Sequence, residues 1–221
     1  MSQYADTPTG SSYTAGHQEL SVANPDILGL GTLALVTAML GCYYASFIIT
    51  YGPFVRMAIG IILIIGGIVE VLAGMWAFHR NTETTASIFT AYGGFLTTAG
   101  ILFLSTNIVL ALTATGNLHL VLGLLYLCWA IFACVLSLGV IRANSIVSIT
   151  FLLLTLTFLI LAIGHLASDN IVLLRIGGWI AIVCAIAAWV DVAFNVLGLV
   201  ENVQEDFKSI NRARHHVATA K

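Results

Sequence analysis

The sequence has very few charged side chains. Only 8% of its 221 residues are Asp, Glu, Lys or Arg, whereas an average soluble chain has about 25%. Ten of the 18 charged residues lie outside positions 27–200, so this stretch of 174 residues has only eight. Eight charges are too few to solvate the surface of a soluble domain of that size, which excludes a soluble globular fold.

Clusters of functional side chains are scarce as well. The four cysteines lie inside apolar runs without C-x-x-C spacing, which argues against a metal site and a disulfide framework. The formal net charge is −2, and no basic patch precedes the C-terminal tail, which argues against a nucleic-acid partner. Motifs for a catalytic nucleophile, a zinc protease or a phosphate loop are missing. We therefore expect neither enzymatic activity nor a cofactor.

Apolar residues make up 59% of the chain and gather in six runs, each near the ~20 residues that cross a bilayer. The predicted transmembrane helices are 27–50, 57–78, 86–111, 118–141, 145–167 and 171–200. The connections are short, which predicts antiparallel neighbours in one bundle. We therefore predict an all-α integral membrane protein with a flexible N-terminal tail, a helical domain and a polar C-terminal tail, at 1–26, 27–200 and 201–221.

The basic residues predict the orientation in the membrane. Six spans place both termini on the same side as the second and fourth connections. That side contains six of the eight Lys and Arg residues, and the opposite side contains Arg56 and Arg175. Because basic residues remain mainly on the cytoplasmic side, we predict that both termini are cytoplasmic. We expect the plasma membrane, with an internal organelle membrane as the alternative.

Two carboxylates, Glu70 and Asp191, lie well inside apolar runs. A charge at the bilayer centre costs about 2.5–3.5 kcal/mol on insertion scales, so such residues usually face a cavity or a partner. Gly66 and Gly74 place Glu70 on a face of small residues that lets helices approach closely. We predict that Glu70 lines a pore or lies at a helix crossing. Asp191 is either hydrogen-bonded to a neighbouring helix or, like Glu70, a candidate proton carrier.

His165 and Thr155 belong to one stripe of the fifth predicted helix. The stripe also contains Leu154, Phe158 and Ala162. Such a mixture of apolar and polar side chains is compatible with a narrow transport path and with packing between helices. Both interpretations stay open on the pattern alone.

The first predicted helix begins with an N-terminal signature, Asn24-Pro25-Asp26-Ile27-Leu28-Gly29-Leu30. Asn at the N-cap, Pro at the first helical position and an acid in the first turn are typical of a helix start. The segment also resembles the N-P-A-P-L-G-L signature of the acetate uptake transporter family, which includes the bacterial succinate–acetate permease and fungal relatives. Similar blocks follow at Gly66-Gly67-x-x-Glu70-x-x-Ala73-Gly74, Phe89-Thr90-x-Tyr92-Gly93-x-Phe95, Leu161-Ala162-Ile163-Gly164-His165 and Gly177-Gly178-Trp179-Ile180.

The resemblance implies a six-helix protomer with its own pore, assembled as a homohexameric ring. It implies passage of acetate and related short carboxylate anions together with protons. The narrowest part of the family's pore falls on Leu33, Tyr92 and Leu154. Their positions in the predicted spans give depths of roughly 9, 9 and 14 Å, so they can meet in one layer. The candidate substrate-binding or vestibule residues are Asn24, Pro25, Leu28, Gly29, Leu30, Glu70, Thr155 and His165.

The sequence departs from the family pattern at three positions. Asp26 and Ile27 replace a small residue and a second proline, and Leu33 replaces an aromatic residue.

Three hypotheses follow for the function. The first is a channel or proton-coupled permease for acetate-like carboxylates, and the second is a transporter of ammonium, ammonia or another small solute, favoured by the extra acids. The third is a membrane scaffold subunit without transport activity.

Overall fold

The computed structural model describes residues 24–48, 52–112, 117–140 and 145–197. Within these ranges the chain forms six α-helices, each long and apolar enough to cross a membrane. They are α1 (Pro25–Ala45), α2 (Pro53–His79), α3 (Glu83–Leu112), α4 (Leu118–Val140), α5 (Ser145–Leu166) and α6 (Ile171–Val196). The predicted tail 201–221, and the predicted tail 1–26 up to position 23, lie outside the described residues.

The start of α1 follows the prediction, and its end does not. The Asn24 side chain accepts a hydrogen bond from the backbone N–H of Asp26 at 3.1 Å, and Pro25 is the first helical residue. The helix was predicted to continue to position 50 but ends at Ala45. Ser46 has a φ of 52°, and its N–H bonds the Tyr43 carbonyl at 3.2 Å. This left-handed residue ends the helix, and hydropathy alone does not reveal it.

The six helices alternate in direction across the bundle. We call the end where α1, α3 and α5 begin the lower end, and the end where α2, α4 and α6 begin the upper end. At the lower end, Arg80 after α2 donates from Nη1 to the Asn24 side chain at 3.1 Å. The most extensive packing is between α2 and α3, followed by α1 and α6. The basic-residue pattern predicts that the lower end is cytoplasmic.

Glycine pairs allow both of these helix pairs to approach closely. A Cβ atom built on Gly67 or on Gly93 would lie 2.6 Å from the carbonyl oxygen of the other, so α2 and α3 touch through their backbones. A Cβ on Gly178 of α6 would lie 2.8 Å from the Gly41 carbonyl oxygen of α1. In lipid, such close van der Waals contact replaces the hydrophobic effect as the force between helices.

The small-residue face around Glu70 contacts two helices. Gly66 faces Val36 of α1, and Gly74 faces Thr90 of α3. Glu70, between these glycines in sequence, is fully buried. The face that the sequence predicts is therefore the region where α2 meets both of its neighbours.

Candidate transport pathway

A cavity of about 300 Å³ lies at the lower end, bounded by five of the helices. Its walls include Asp26 and Leu30 of α1, Phe151 of α5, and Asp191 and Asn195 of α6. Asp191 is fully buried, and neither of its carboxylate oxygens has a hydrogen-bond partner among the described residues. The hydrogen bond to a neighbouring helix, one of the two interpretations of Asp191, is not formed among the described residues, and the role of proton carrier stays a prediction.

The three predicted constriction residues are all buried in the apolar core. Leu33 of α1 is 2% exposed, Tyr92 of α3 is 0% exposed and Leu154 of α5 is 1% exposed. They belong to one contiguous cluster of buried residues. The Tyr92 ring centroid is 5.6 Å from that of Phe151, which lines the lower cavity. Tyr92 thus lies one aromatic ring away from the cavity, and the meeting of all three residues in one layer stays a prediction.

Tyr92 is surrounded by an aromatic cage of three side chains, Trp129, Phe151 and Phe158. Their ring centroids are 5.9, 5.6 and 6.3 Å from that of Tyr92. The Tyr92 hydroxyl and the Trp129 indole nitrogen are buried, and neither has a hydrogen-bond partner within the described part of the chain. Two buried groups that can donate hydrogen bonds, one on Tyr92 and one on Trp129, therefore lie among aromatic rings.

Sequence reasoning missed most of this cage. Phe151 could have been found, because it precedes Leu154 by three residues and Phe158 by seven, which places all three on one face of α5. Trp129 gives no such signal, since α4 is apolar on every side. Only the packing of α4 against α3 and α5 brings its indole ring to Tyr92.

Glu70 lies in the interior at the crossing of α2 with its neighbours. Both carboxylate oxygens are buried without a hydrogen-bond partner among the residues the structure describes. The carboxyl group is close enough to Tyr92 to act on it electrostatically. Glu70 of α2 and Tyr92 of α3 therefore lie in the same region of the core.

Residues 9–209 match the GPR1/FUN34/yaaH family. The chain belongs to this family. The resemblance drawn from the N-terminal signature and the later sequence blocks is thereby confirmed.

Two relatives illustrate the family. Acetate permease A of Emericella nidulans is 31% identical over 178 residues, and the match covers 76% of this chain but only 59% of that relative. The succinate-acetate/proton symporter SatP of Escherichia coli K12 is 30% identical over 168 residues, covering 76% of this chain and 85% of the symporter.

A solved structure of the bacterial acetate channel SatP has the same fold. It superposes with a TM-score of 0.69 at 27% identity, covering 79% of this chain and 92% of the channel. The predicted all-α six-helix fold is confirmed. The protein is a multi-pass integral membrane protein, and its relatives bear the names of a permease, a symporter and a channel.

The signature residues at the start of α1 face partly the interior of the bundle and partly its outer surface. Pro25, Gly29 and Leu30 are buried, with Leu30 on the wall of the lower cavity. Gly29 faces the Phe89 ring of α3 so closely that a Cβ atom would collide with it. Leu28 is 52% exposed on the outer face of the bundle. Of these four residues, only Leu30 lines the lower cavity. The vestibule role stays a prediction for all of them.

Thr155 is engaged in contacts between helices. Its hydroxyl donates to the Phe151 carbonyl at 2.9 Å and lies 3.1 Å from the Ser137 hydroxyl of α4. These bonds connect α5 to α4 beside the aromatic cage. A contact of Thr155 with substrate stays a prediction.

His165 belongs to a hydrogen-bonded series at the upper end, far from the lower cavity. Its Nδ1 atom is 2.6 Å from Asp169, and its Nε2 atom is 2.9 Å from the Tyr44 hydroxyl. The Tyr44 hydroxyl lies 3.1 Å from that of Tyr126. The i,i+4 spacing of His165 and Asp169 is visible in the sequence, whereas the two tyrosines come from α1 and α4 and have no such signal.

Proposed function

We propose that the protein is a membrane channel or proton-coupled permease for acetate and related short carboxylates. Each protomer would have its own pore, running from the lower cavity past Leu33, Tyr92 and Leu154 to the upper end. The observation that carries this proposal is the lower cavity, which ends against the aromatic cage of Tyr92 in a fold shared with an acetate channel.

The proposed constriction would select its cargo by chemistry. An apolar ring resists water and ions because they lose hydration there. A carboxylate needs hydrogen-bond donors to cross such a ring. The Tyr92 hydroxyl and the Trp129 indole N–H are buried donors at this place, and the apolar rings around them would accept the methyl end of acetate.

Flux of labelled acetate into liposomes that contain the pure protein tests the proposal. We expect uptake well above that of protein-free liposomes, competed by other short carboxylates. Because undissociated acetic acid crosses lipid unaided, the protein-free rate is subtracted at each pH. Acetate flux no greater than this background, in liposomes with folded protein, would reject the proposal.

Ammonium is the second candidate, and the lower cavity is the observation that favours it. Asp26 and Asp191 both line this cavity, and carboxylates attract a cation and repel an anion. Uptake of labelled methylammonium into the same liposomes is measured in a parallel experiment. Methylammonium flux without acetate flux would favour the second candidate, and the reverse result would favour the first.

We infer that the protein assembles as a homohexameric ring with both termini cytoplasmic. The outer face of α1 and α2 has an exposed apolar groove lined by Leu28, Leu72, Met75 and Trp76. A neighbouring protomer could cover this groove through van der Waals packing. Native mass spectrometry of the detergent-solubilised complex should give six times the protomer mass. A monomer or dimer under several mild detergents would contradict the hexamer.

A further inference from the structure

Four side chains at the upper end, Asp169, His165, Tyr44 and Tyr126, form a continuous hydrogen-bonded series that we call the His165 relay. The successive distances are 2.6, 2.9 and 3.1 Å. His165 and the two tyrosines are buried, whereas the Asp169 side chain is 56% exposed. The relay therefore connects the upper surface to the interior of the bundle. Its innermost ring, Tyr126, is 6.1 Å from Phe158 of the aromatic cage.

The turn between α5 and α6 holds the outer end of the relay in place. Ser168 and Asp169 both have left-handed backbones, with φ of 58° and 57°. The Asn170 N–H bonds the Gly164 carbonyl at 2.9 Å, and the Asn170 side chain caps α6. A left-handed backbone is unfavourable for a non-glycine residue and persists only where the surroundings determine it. Two in succession bring the Asp169 carboxylate back to the imidazole of His165.

The chemistry of the groups determines the direction of every hydrogen bond in the relay. An ionised carboxylate only accepts hydrogen bonds, so His165 donates from Nδ1 to Asp169. In the neutral imidazole, Nε2 then has no hydrogen and accepts from the Tyr44 hydroxyl. Because the Tyr44 hydrogen is used in this bond, the Tyr126 hydroxyl must donate to the Tyr44 oxygen. All hydroxyl hydrogens therefore point outward, toward the surface.

We propose that protonation of His165 from the upper solution reverses this relay and makes the Tyr126 hydroxyl a hydrogen-bond donor to a passing carboxylate. One proton taken up from the upper solution leaves hydrogen on both ring nitrogens, and Nε2 then donates to the Tyr44 oxygen. The Tyr44 hydroxyl is released from His165 and can turn to the Tyr126 oxygen. The Tyr126 hydroxyl hydrogen is thereby released from Tyr44. The inference rests on the proposed transport of carboxylates and supplies a route by which a proton favours their binding.

Charged and titratable groups surround His165 on several sides. Tyr44 faces it from α1, Tyr126 stacks on its ring from α4 with the centroids 5.6 Å apart, and Asp169 faces it from the turn. Arg56 of α2 and His119 of α4 also act on it electrostatically. From α6 the apolar Leu174 packs against Gly164, the residue before His165. The carboxylate of Asp169 opposes the effect of these two basic groups on the imidazole.

The tautomer of His165 tests the relay without any transport measurement. Nitrogen-15 NMR of histidine-labelled protein, with the signals assigned by their loss in His165→Gln, should show hydrogen on Nδ1 and none on Nε2 at neutral pH. Tyr44→Phe should then change the Nε2 signal, because its donor is removed. Hydrogen on Nε2 in the neutral ring would overturn the proposal, whether or not the protein transports acetate.

Acetate flux at a series of pH values tests the consequence for transport. We expect wild-type flux, corrected for protein-free liposomes, to rise roughly three- to tenfold as the upper solution is acidified and His165 becomes charged. Tyr126→Phe removes the proposed donor and should lose most of this rise, measured as the ratio of acidic to neutral flux. Tyr43→Phe is the matched control, because its hydroxyl accepts from Arg56 at 3.1 Å outside the relay. If Tyr126→Phe responds to acid like Tyr43→Phe, the relay has no part in coupling.

Discussion

Leu33→Trp is expected to abolish acetate flux while the protein remains folded. Leu33 is 2% exposed in the core cluster that also contains Tyr92 and Leu154. An indole ring there would fill the path proposed between α1, α3 and α5. Overpacking of a core costs about 1–3 kcal/mol, which a protein can tolerate while a narrow pore closes. Labelled acetate uptake and size-exclusion chromatography of the same preparation give the two readouts.

Smaller side chains at the proposed constriction should widen the path. We expect Leu154→Ala and Tyr92→Ala to raise flux or to loosen selectivity among carboxylates, because a wider ring is more easily wetted. Leu154→Ala also costs about 2–5 kcal/mol of stability, so folding is measured alongside. Leu156→Ala is the control, since Leu156 is on the same helix but 42% exposed on the outer surface.

Two outcomes would contradict this location of the pore. If Leu33→Trp, Tyr92→Ala and Leu154→Ala all transport like wild type while they fold normally, the path does not pass between α1, α3 and α5. If Leu156→Ala raises flux as much as Leu154→Ala, the effect comes from a loosened helix and not from the proposed constriction.

Glu70→Gln is expected to keep folding and assembly but to remove most of the dependence of flux on a pH gradient. The side chain is buried without a hydrogen-bond partner in the described part of the protein. An isolated charge in such a place is costly, so we predict that Glu70 is protonated while an anion passes. Glutamine has a similar shape and polarity but cannot release a proton. Acetate uptake with and without an imposed pH gradient measures the difference.

Glu83→Gln is the matched control for Glu70→Gln. Glu83 is an exposed carboxylate in the first turn of α3, so the same chemical change occurs there without burial. We expect this variant to respond to a pH gradient as the wild type does. An unchanged pH dependence in Glu70→Gln would remove Glu70 from the mechanism.

The sequence determined the number, type and order of the helices, because burial in lipid imposes one rule on every span. Each helix must satisfy its own backbone hydrogen bonds and present apolar side chains around its circumference. The N-cap at Asn24 was also predictable, because capping depends on neighbours along the chain. The family followed from short blocks such as the signature at residues 24–30. The left-handed end of α1 at Ser46 was not predictable, because serine is found both inside helices and at their ends.

The tertiary structure alone decided which side chains meet. Uniformly apolar helices have no polar face to indicate their rotation in the bundle, so nothing in the sequence places Trp129 against Tyr92. Close contacts such as that of Gly67 with Gly93 set the rotations. The hydrogen bonds from Tyr44 to His165 and Tyr126 join three helices that are distant in sequence. The sequence therefore determined the spans, and the packing of helix on helix decided the constriction and the relay.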